Sequence, residues 1–411
     1  MTYTMNKFFY LFLLLWPLPF GRIHAANTVT IIVTNDEKEQ RQELIEVDLK
    51  TVIDKMGLAE DDPFVVKNAF GQQVDYQVTY DGKLLIDVAV RPCGTAKYTI
   101  MKGVPEPMKT WVKGKMYPTR KDDIAWENDR GAYRVYGPAL QRTGEKSFGM
   151  DVWTKNTPEI VVEDRYTADY DGNILKNIYH KKGQGDKWRE EDLRTSFHLD
   201  HGNGLDCYSV GATLGCGTPA LMDGKELLFP YCYKDYEILD NGPLRFTVEL
   251  TYHPAKVKKD ENVIEHRIMS LDKGSNFNKI TVWYEGLSKP CDFASGVVIH
   301  SDDKESVVLG SNYVQYADPT DNPTKHNFQV YVAALFPFGD VTTKKLLLDK
   351  PANGIEGHAL GVLKKLGNNQ RYTYYAGSAW SKGDVRNQRE WQARIESFMD
   401  AVAMPLRVTI E

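Results

Sequence analysis

Cysteine is scarce in this chain: five among 411 residues, Cys93, Cys207, Cys216, Cys232 and Cys291. An odd and widely spaced set excludes the fully paired framework that staples small secreted domains. No C-x-x-C pair occurs, which removes a thiolate zinc site and a dithiol redox motif. Cys207 with Cys216 or Cys232 is the one pairing left open, and burial as free thiols is the alternative. A basic excess is missing too. With 51 Lys and Arg against 56 Asp and Glu, net −5, the chain lacks the cationic field needed for nonspecific binding to nucleic acid or an anionic bilayer. Nucleotide-binding, zinc-protease, nucleophile-elbow and EF-hand signatures are all absent. The Gly-rich stretch Val210–Ala220 has neither a P-loop ending nor a G-x-G-x-x-G between strand and helix, so it reads as a close-packed bend.

One apolar run stands out at the start. Lys7 precedes Phe8–Leu15, Pro17 and Pro19 break the run, and Ile23-His24-Ala25-Ala26 offers small residues for cleavage. The run is too short to span a bilayer comfortably, so residues 1–25 read as a cleaved signal peptide and the mature protein as periplasmic or secreted, with no membrane insertion. Lys7 and Arg22 leave with it: 51 basic residues become 49 against 56 acidic ones, and the charge moves from −5 to −7.

The remainder is rich in aromatics, 11% with 23 Tyr and 8 Trp, residues that suit half-buried strands and sugar-facing surfaces alike. Residues 27–103 alternate in the β manner around a short helical pattern at Leu49–Met56, which predicts a small N-terminal β-sandwich. A Pro- and Lys-rich crossing follows. Residues 116–411 then repeat strand signals separated by Gly, Asn, Asp or Pro, from Thr247–Tyr252 to Leu406–Ile410, the spacing of a large antiparallel domain rather than of βα units. Helices are expected at Asp186–Arg194 and Asp384–Ala403, the second with Trp391, Ile395, Phe398, Met399 and Val402 at helical spacing. The fold class is therefore mainly β.

Two constellations can carry chemistry. In Trp126–Pro138, one continuous strand would put Trp126, Asn128, Arg130, Arg134 and Tyr136 on a single cationic, aromatic-walled face suited to an acidic sugar. The plain alternative is a solvated face of Arg–Glu pairs. In Ser196–Tyr208, two of the chain's nine histidines lie among Asp200, Asp206, Tyr208 and a Gly-Asn-Gly turn. His201 as base, Tyr208 as acid and Asp200 or Asp206 as orienting carboxylates would serve proton transfer. His198, His201 and Asp206 could instead hold a divalent cation; the alternative to both is a polar turn. His266 and His300 read as structural, and Tyr374, Tyr375, Ser378, Trp380 and Trp391 as core before ligand rim.

On Lys121–Arg134, on His198–Tyr208 with its Gly-rich bend, and on Gly377-Ser378-Ala379-Trp380-Ser381-Lys382, the chain resembles the domain-of-unknown-function family numbered four-eight-six-one. The likeness covers nearly the whole mature chain. It implies a large β-supersandwich like that of galactose mutarotases and of domains in polysaccharide lyases, and work on plant or algal polysaccharides, one branch resembling an oligosaccharide dehydratase or lyase acting on a uronic acid. The expected function is β-elimination from uronic-acid-containing oligosaccharides. A glycoside hydrolase using a carboxylate pair (Glu127 with Asp129, or Asp200 with Asp206), a non-catalytic sugar-binding protein and a mutarotase or epimerase are its rivals.

Overall fold

The computed structural model describes residues 28–411 apart from 60, 230, 304 and 321–326; the expected signal peptide lies outside the described residues. Strand Thr28–Asn35 buries every second side chain, Val29, Ile31 and Val33, as a half-buried strand must. It pairs with Gly94–Lys102, which pairs with Phe64–Asn68. A second sheet, Arg41–Asp48, Lys83–Val90 and Tyr76–Val78, closes the small sandwich. Helix α1 (Leu49–Met56) starts where the Asp48 side chain accepts from the Thr51 amide, and sends Val52 and Met56 into the same core.

The fourth strand of the first sheet comes from the far end of the chain. Arg407–Ile410 runs antiparallel beside Thr28–Asn35, with Ile31 opposite Ile410. The region 116–411, expected as one domain, thus gives its last strand to the small sandwich. Period-two alternation fixes which face a strand buries but names no partner.

The large domain is a sandwich. A nine-stranded antiparallel sheet runs in the order Tyr233–Asn241, Arg245–Tyr252, Asp260–Asp272, Phe277–Glu285, Tyr372–Trp380, Val330–Leu335, Tyr313–Asp318 and Val307–Leu309, with Ala255–Val257 paired to Asp260–Asp272. A five-stranded sheet (Glu226–Leu228, Ala220–Asp223, Cys291–Ile299, Ile355–Leu366, Val341–Ala352) and a four-stranded sheet (Asp151–Thr154, Gly131–Val135, Asp123–Glu127, Lys113–Tyr117) complete it. One continuous core joins all three: Phe246, Ile280 and Tyr374 of the first meet Phe293 and Val297 of the second and Trp126 and Tyr133 of the third. Each such fully buried side chain contributes ~1.5–3 kcal/mol through the area it removes from water.

Helices α2 (Pro138–Gln141), α3 (Val162–Lys181), α4 (Gly185–Thr195) and α5 (Gln388–Ala403) decorate the sheets. Helix α4 covers the expected Asp186–Arg194, while α5 begins four residues later than expected, where the Asn387 side chain caps it, and packs Trp391 and Ile395 on Phe277 and Tyr331. Helix α3 has no counterpart in the sequence reading. Its buried positions include Arg165, Gly172 and Lys176, so it carries no apolar stripe for periodicity to detect. The Gly-rich bend is as tight as expected. At Gly217, with φ +86, a Cβ would lie 2.0 Å from that of Ala376. The candidate disulfide partners Cys216 and Cys232 keep buried free thiols; burial pushes the Cys232 thiol up to about 11.

Candidate active site

Trp126–Pro138 is a hairpin, not one strand. Asn128 makes the turn: its side chain accepts from the amides of Arg130 and Gly131 and donates to the carbonyls of Asp272 and Ser275 at 2.6 and 2.7 Å. The turn breaks the parity on which a shared face depended. In the resulting register Trp126 lies opposite Tyr133, and Ala125 opposite Arg134, so Trp126 and Arg134 occupy opposite faces. Trp126 goes into the core, donating to Asn278 at 2.7 Å and stacking on Phe246. Neither Trp126 nor Asn128 faces a ligand, because the hairpin spends both on folding. Arg130 pairs with Asp384 and donates to the Gly274 carbonyl at 2.5 Å.

The other face of this sheet is polar and covered. Asp123, Glu127, Arg134 and Tyr136 share it with Asp151 and Trp153, which lie opposite Arg134 and Ala132. Helix α3 and Phe197 close over it through Tyr166 and Val162. Glu127 anchors that helix: its carboxylate accepts from the amides of Val161 and Val162 and from Lys155 Nζ at 2.6 Å. Asp129 accepts from the Gly274 amide. The pair Glu127 and Asp129, considered for hydrolysis, is therefore structural.

Arg134 is the hub. Only 4% exposed, it pairs with Asp151, with Asp206 at 3.0 Å and with Asp123 at 3.7 Å, and lies over the rings of Tyr136 and Trp153. Burial opposes its charge, but Asp151, Tyr136 and Asp206 outweigh that and hold it protonated. Burial pushes the Asp123 carboxyl up to about 6 and Asp151 well above the usual carboxylate range, Arg134 only partly offsetting either; desolvation disfavours the charged form. Asp206 reaches the hub because Gly204, at φ +105, passes so close to Thr154 that a Cβ would sit 2.0 Å from its carbonyl oxygen.

The Ser196–Tyr208 loop divides its predicted residues. Asp206 and Tyr208 turn inward, both buried. His198 stays exposed, its Nδ1 3.1 Å from the Asp206 carbonyl. His201 Nε2 lies 2.9 Å from the Ser196 carbonyl, on its own loop. Asp200 accepts from the amides of Gly202 and Gly204 and pairs with Lys382, so it shapes the turn instead of orienting His201. Among the described residues no group of three or more His, Cys, Asp or Glu side chains is arranged to hold a metal ion. His198 Nδ1 comes within 3.7 Å of Asp206 Oδ2, but His201, turned to the Ser196 carbonyl, does not complete the set.

Tyr208 leads to His300, expected from sequence to be structural, and to its partner Asp318. The Tyr208 ring meets that of His300 edge-on at 6.1 Å, and His300 Nδ1 lies 2.6 Å from Asp318 Oδ2. The Tyr208 hydroxyl and His300 Nε2 are both buried with no hydrogen-bond partner in the protein, as are Asp123 Oδ2, Nε and Nη1 of Arg134, and the Tyr166 hydroxyl. Buried polar atoms are nearly always satisfied, so their concentration around Arg134 and beside Tyr208, whose hydroxyl feels the Asp151 charge, makes this region a candidate place for a polar ligand. Other such atoms, on Arg267 and Tyr284 among them, lie elsewhere. Nearby His358 accepts from the Leu214 amide, and burial first, with the proximity of His300 second, lowers its pKa to about 4. Faint signals were available: Asp123, Asp151 and His300 each bound an apolar strand segment.

The Tyr166 end opens to solvent. A cleft of about 400 Å³ lies between Thr119–Lys121, α3 and α4, lined by Arg120, Tyr166, Tyr170, Asn173, Phe197 and His198 among others, at the lower end of the ~300–1,000 Å³ usual for ligand sites.

Comparison with known proteins agrees with the resemblance noted above. The model of the family described as "Domain of unknown function (DUF4861)" matches residues 33–408, and the chain belongs to that family. The "Uncharacterized protein P7" of Formosa agariphila is 24% identical over 342 residues, covering 80% of this chain and 78% of its own. Among solved structures, a protein in the glycosyl hydrolase family 38 from Enterococcus faecalis overlays with TM-score 0.47 at 9% identity, covering 94% of this chain and 47% of its own. An α-mannosidase from Enterococcus faecalis gives TM-score 0.45 at 9% identity, with 94% and 46% covered. The chain spans about half the length of these two structures, and the overlays are too loose to bear on activity.

Proposed function

As a member of a family that brings no assigned activity with it, the chain must be read from its own site, and we propose that it is a carbohydrate-active enzyme that performs β-elimination on uronic-acid-containing oligosaccharides. The observation that carries this reading is the His300–Tyr208 pair: a histidine whose Nδ1 faces a carboxylate, beside a phenol, both with a free buried polar atom. A carboxylate at Nδ1 favours the tautomer with its proton there, which leaves the Nε2 lone pair available as a base. His300 Nε2 takes the proton alpha to the uronate carboxylate. Those electrons form the carbon–carbon double bond as the β carbon–oxygen bond breaks, and the Tyr208 hydroxyl gives its proton to the departing oxygen. The guanidinium of Arg134, whose Nε and Nη1 make no hydrogen bond within the protein, stabilises the enediolate charge that develops between these steps. His300 thus replaces His201 as base, whereas Tyr208 keeps its expected role. With the signal peptide expected in residues 1–25, the substrate is met outside the cytoplasm.

The test is incubation with uronate-ended oligosaccharides. A rise in ultraviolet absorbance from the new double bond, lost in His300→Ala and Tyr208→Phe, is expected; no rise with any such substrate sinks the proposal. A second reading draws on another observation. Asp123 and Asp151 have carboxyls raised toward neutrality beside a third, Asp206, and a glycoside hydrolase needs one protonated carboxyl facing an ionised one. New reducing ends without ultraviolet absorbance would favour it.

A further inference from the structure

The cleft at the Tyr166 end has a charge pattern that the reaction chemistry does not use. Lys176 is neutralised, with Asp192 2.8 Å and Asp169 3.9 Å from its Nζ. Arg120 makes no ion pair of its own among the described residues: Asp123 and Asp169 feel its charge, but neither lies within ion-pair distance of its guanidinium. It ends the turn Pro118–Arg120, is half-buried, and stands over the Phe197 ring at 5.6 Å. Arg120 and Phe197 both line the cleft. A guanidinium placed in this way and unpaired is suited to chelating two oxygens of one anionic group.

The opposite wall is built for rings. Tyr166, Tyr170 and Asn173 fall at i, i+4 and i+7 of α3 and so lie on one face of the helix. All three line the cleft. They run outward from Tyr166, whose hydroxyl faces the Arg134 hub, to Tyr170, which is 47% exposed. Over seven residues of helix that is ~10 Å. An exposed tyrosine gives an apolar ring to stack on, and an amide gives hydrogen bonds to hydroxyls.

Resting on the reading of the protein as an oligosaccharide-acting enzyme, we infer that this cleft binds the sugar residues flanking the reacting one and that Arg120 recognises an anionic substituent on one of them, a carboxylate or a sulfate ester. Arg120 is then a specificity-determining residue. It is not a catalytic one, since neither member of the proton-transfer pair lines this cleft.

Binding, measured by titration calorimetry independently of turnover, tests this. The probes are a uronate-bearing trisaccharide, a sulfated trisaccharide without uronate and an unsubstituted neutral one, each against wild type, Arg120→Gln and Arg120→Lys. Arg120→Gln is expected to weaken one or both anionic probes by about 10- to 100-fold, the range for a lost charge-assisted hydrogen bond. The neutral probe should stay within about two-fold, and Arg120→Lys should recover only part, because an ammonium cannot chelate as a fork does. Whichever anionic probe responds identifies the substituent. Equal loss for neutral and anionic probes, wild-type affinity in Arg120→Gln, or no binding of any anionic probe overturns the inference. Should Arg120→Gln fail to fold, the wild type decides: its affinity must fall with salt for the anionic probe and hold for the neutral one. The result separates from the elimination chemistry, because the binding pattern can hold where no product forms, and product can form where Arg120 proves indifferent.

Discussion

Replacing Asp123 by Asn should stabilise the protein at neutral pH and do so only there. The Asp123 carboxyl is fully buried, and burial raises its pKa from 3.8 to about 6 even though Arg134 and Arg120 pull the other way. A group whose pKa is raised by folding contributes stability that is complete below 3.8 and is lost as the pH climbs through about 6. The shift of about two units corresponds to ~3 kcal/mol at 1.36 kcal/mol per unit. Asparagine keeps the shape and can still accept from the Gly137 amide, as Asp123 Oδ1 does at 3.3 Å, but it never ionises. Urea unfolding followed by tryptophan fluorescence, at intervals from pH 4 to 7.5, should give Asp123→Asn and wild type nearly equal stability at the acid end. By pH 7 the variant should lead by about 3 kcal/mol. The difference between the two proteins is the quantity to follow, because His358 titrates in the opposite sense. Its pKa is depressed to about 4, so its contribution is present above pH 6.5 and fades as the pH falls toward 4. A gap between the proteins that is the same at pH 4.5 and pH 7, or a variant less stable than wild type at pH 7, would refute the reasoning.

Other substitutions probe the rest of the molecule. Lys155→Met strips the buried Glu127 carboxylate of its cation, and unfolding should show a loss of ~3–5 kcal/mol, the cost of an uncompensated buried charge. Gly217→Ala would drive a Cβ to 2.0 Å from Ala376 at a left-handed φ, whereas Gly183→Ala has the same handedness problem, φ +66, with nothing within 4 Å; melting should show the first as severely destabilised and the second down by only about 1 kcal/mol. Trp391→Ala, opening a hole under α5, should cost ~3–5 kcal/mol in the same assay. On the proposed chemistry, Asp318→Asn should lower kcat ~10²- to 10⁴-fold with KM little changed, as expected where a positioned base loses its orientation; an unaltered pH–rate profile in that variant would count against His300 as base.

The sequence by itself determined the fold class and much of its punctuation. Period-two alternation with Gly, Asn and Pro between the runs marks antiparallel strands because a strand's faces alternate strictly, and Lys83–Val90 is found where alternation puts it. The apolar stripe of α5 was equally legible. Local sequence also flagged two of the segments that contribute to the candidate site, Trp126–Pro138 and Ser196–Tyr208, through their density of chemical groups.

What it could not supply was direction. Trp126 and Arg134 were assigned one face because parity counts along a continuous strand, and a turn at Asn128, held by carbonyls almost 150 residues away, reverses the count. Asp200 and His201 look as catalytic as Asp206 and Tyr208 in a linear reading, yet left-handed glycines bury one pair and leave the other holding its own loop. His300 and Asp318 stand 18 residues apart and adjoin Tyr208 only across two sheets. Helix α3, lacking an apolar face, exists because Glu127 anchors its first turn and the polar face of a sheet needs a cover. The final strand, Arg407–Ile410, finds its partner at the opposite end of the described chain, Arg407 pairing with Thr34 and Ile410 with Ile31. Short-range chemistry decides which residues are able to fold into a strand, a turn or a reactive group. Which of them meet is decided by long-range packing, where burying apolar area and satisfying buried charge must be solved for the whole chain at once.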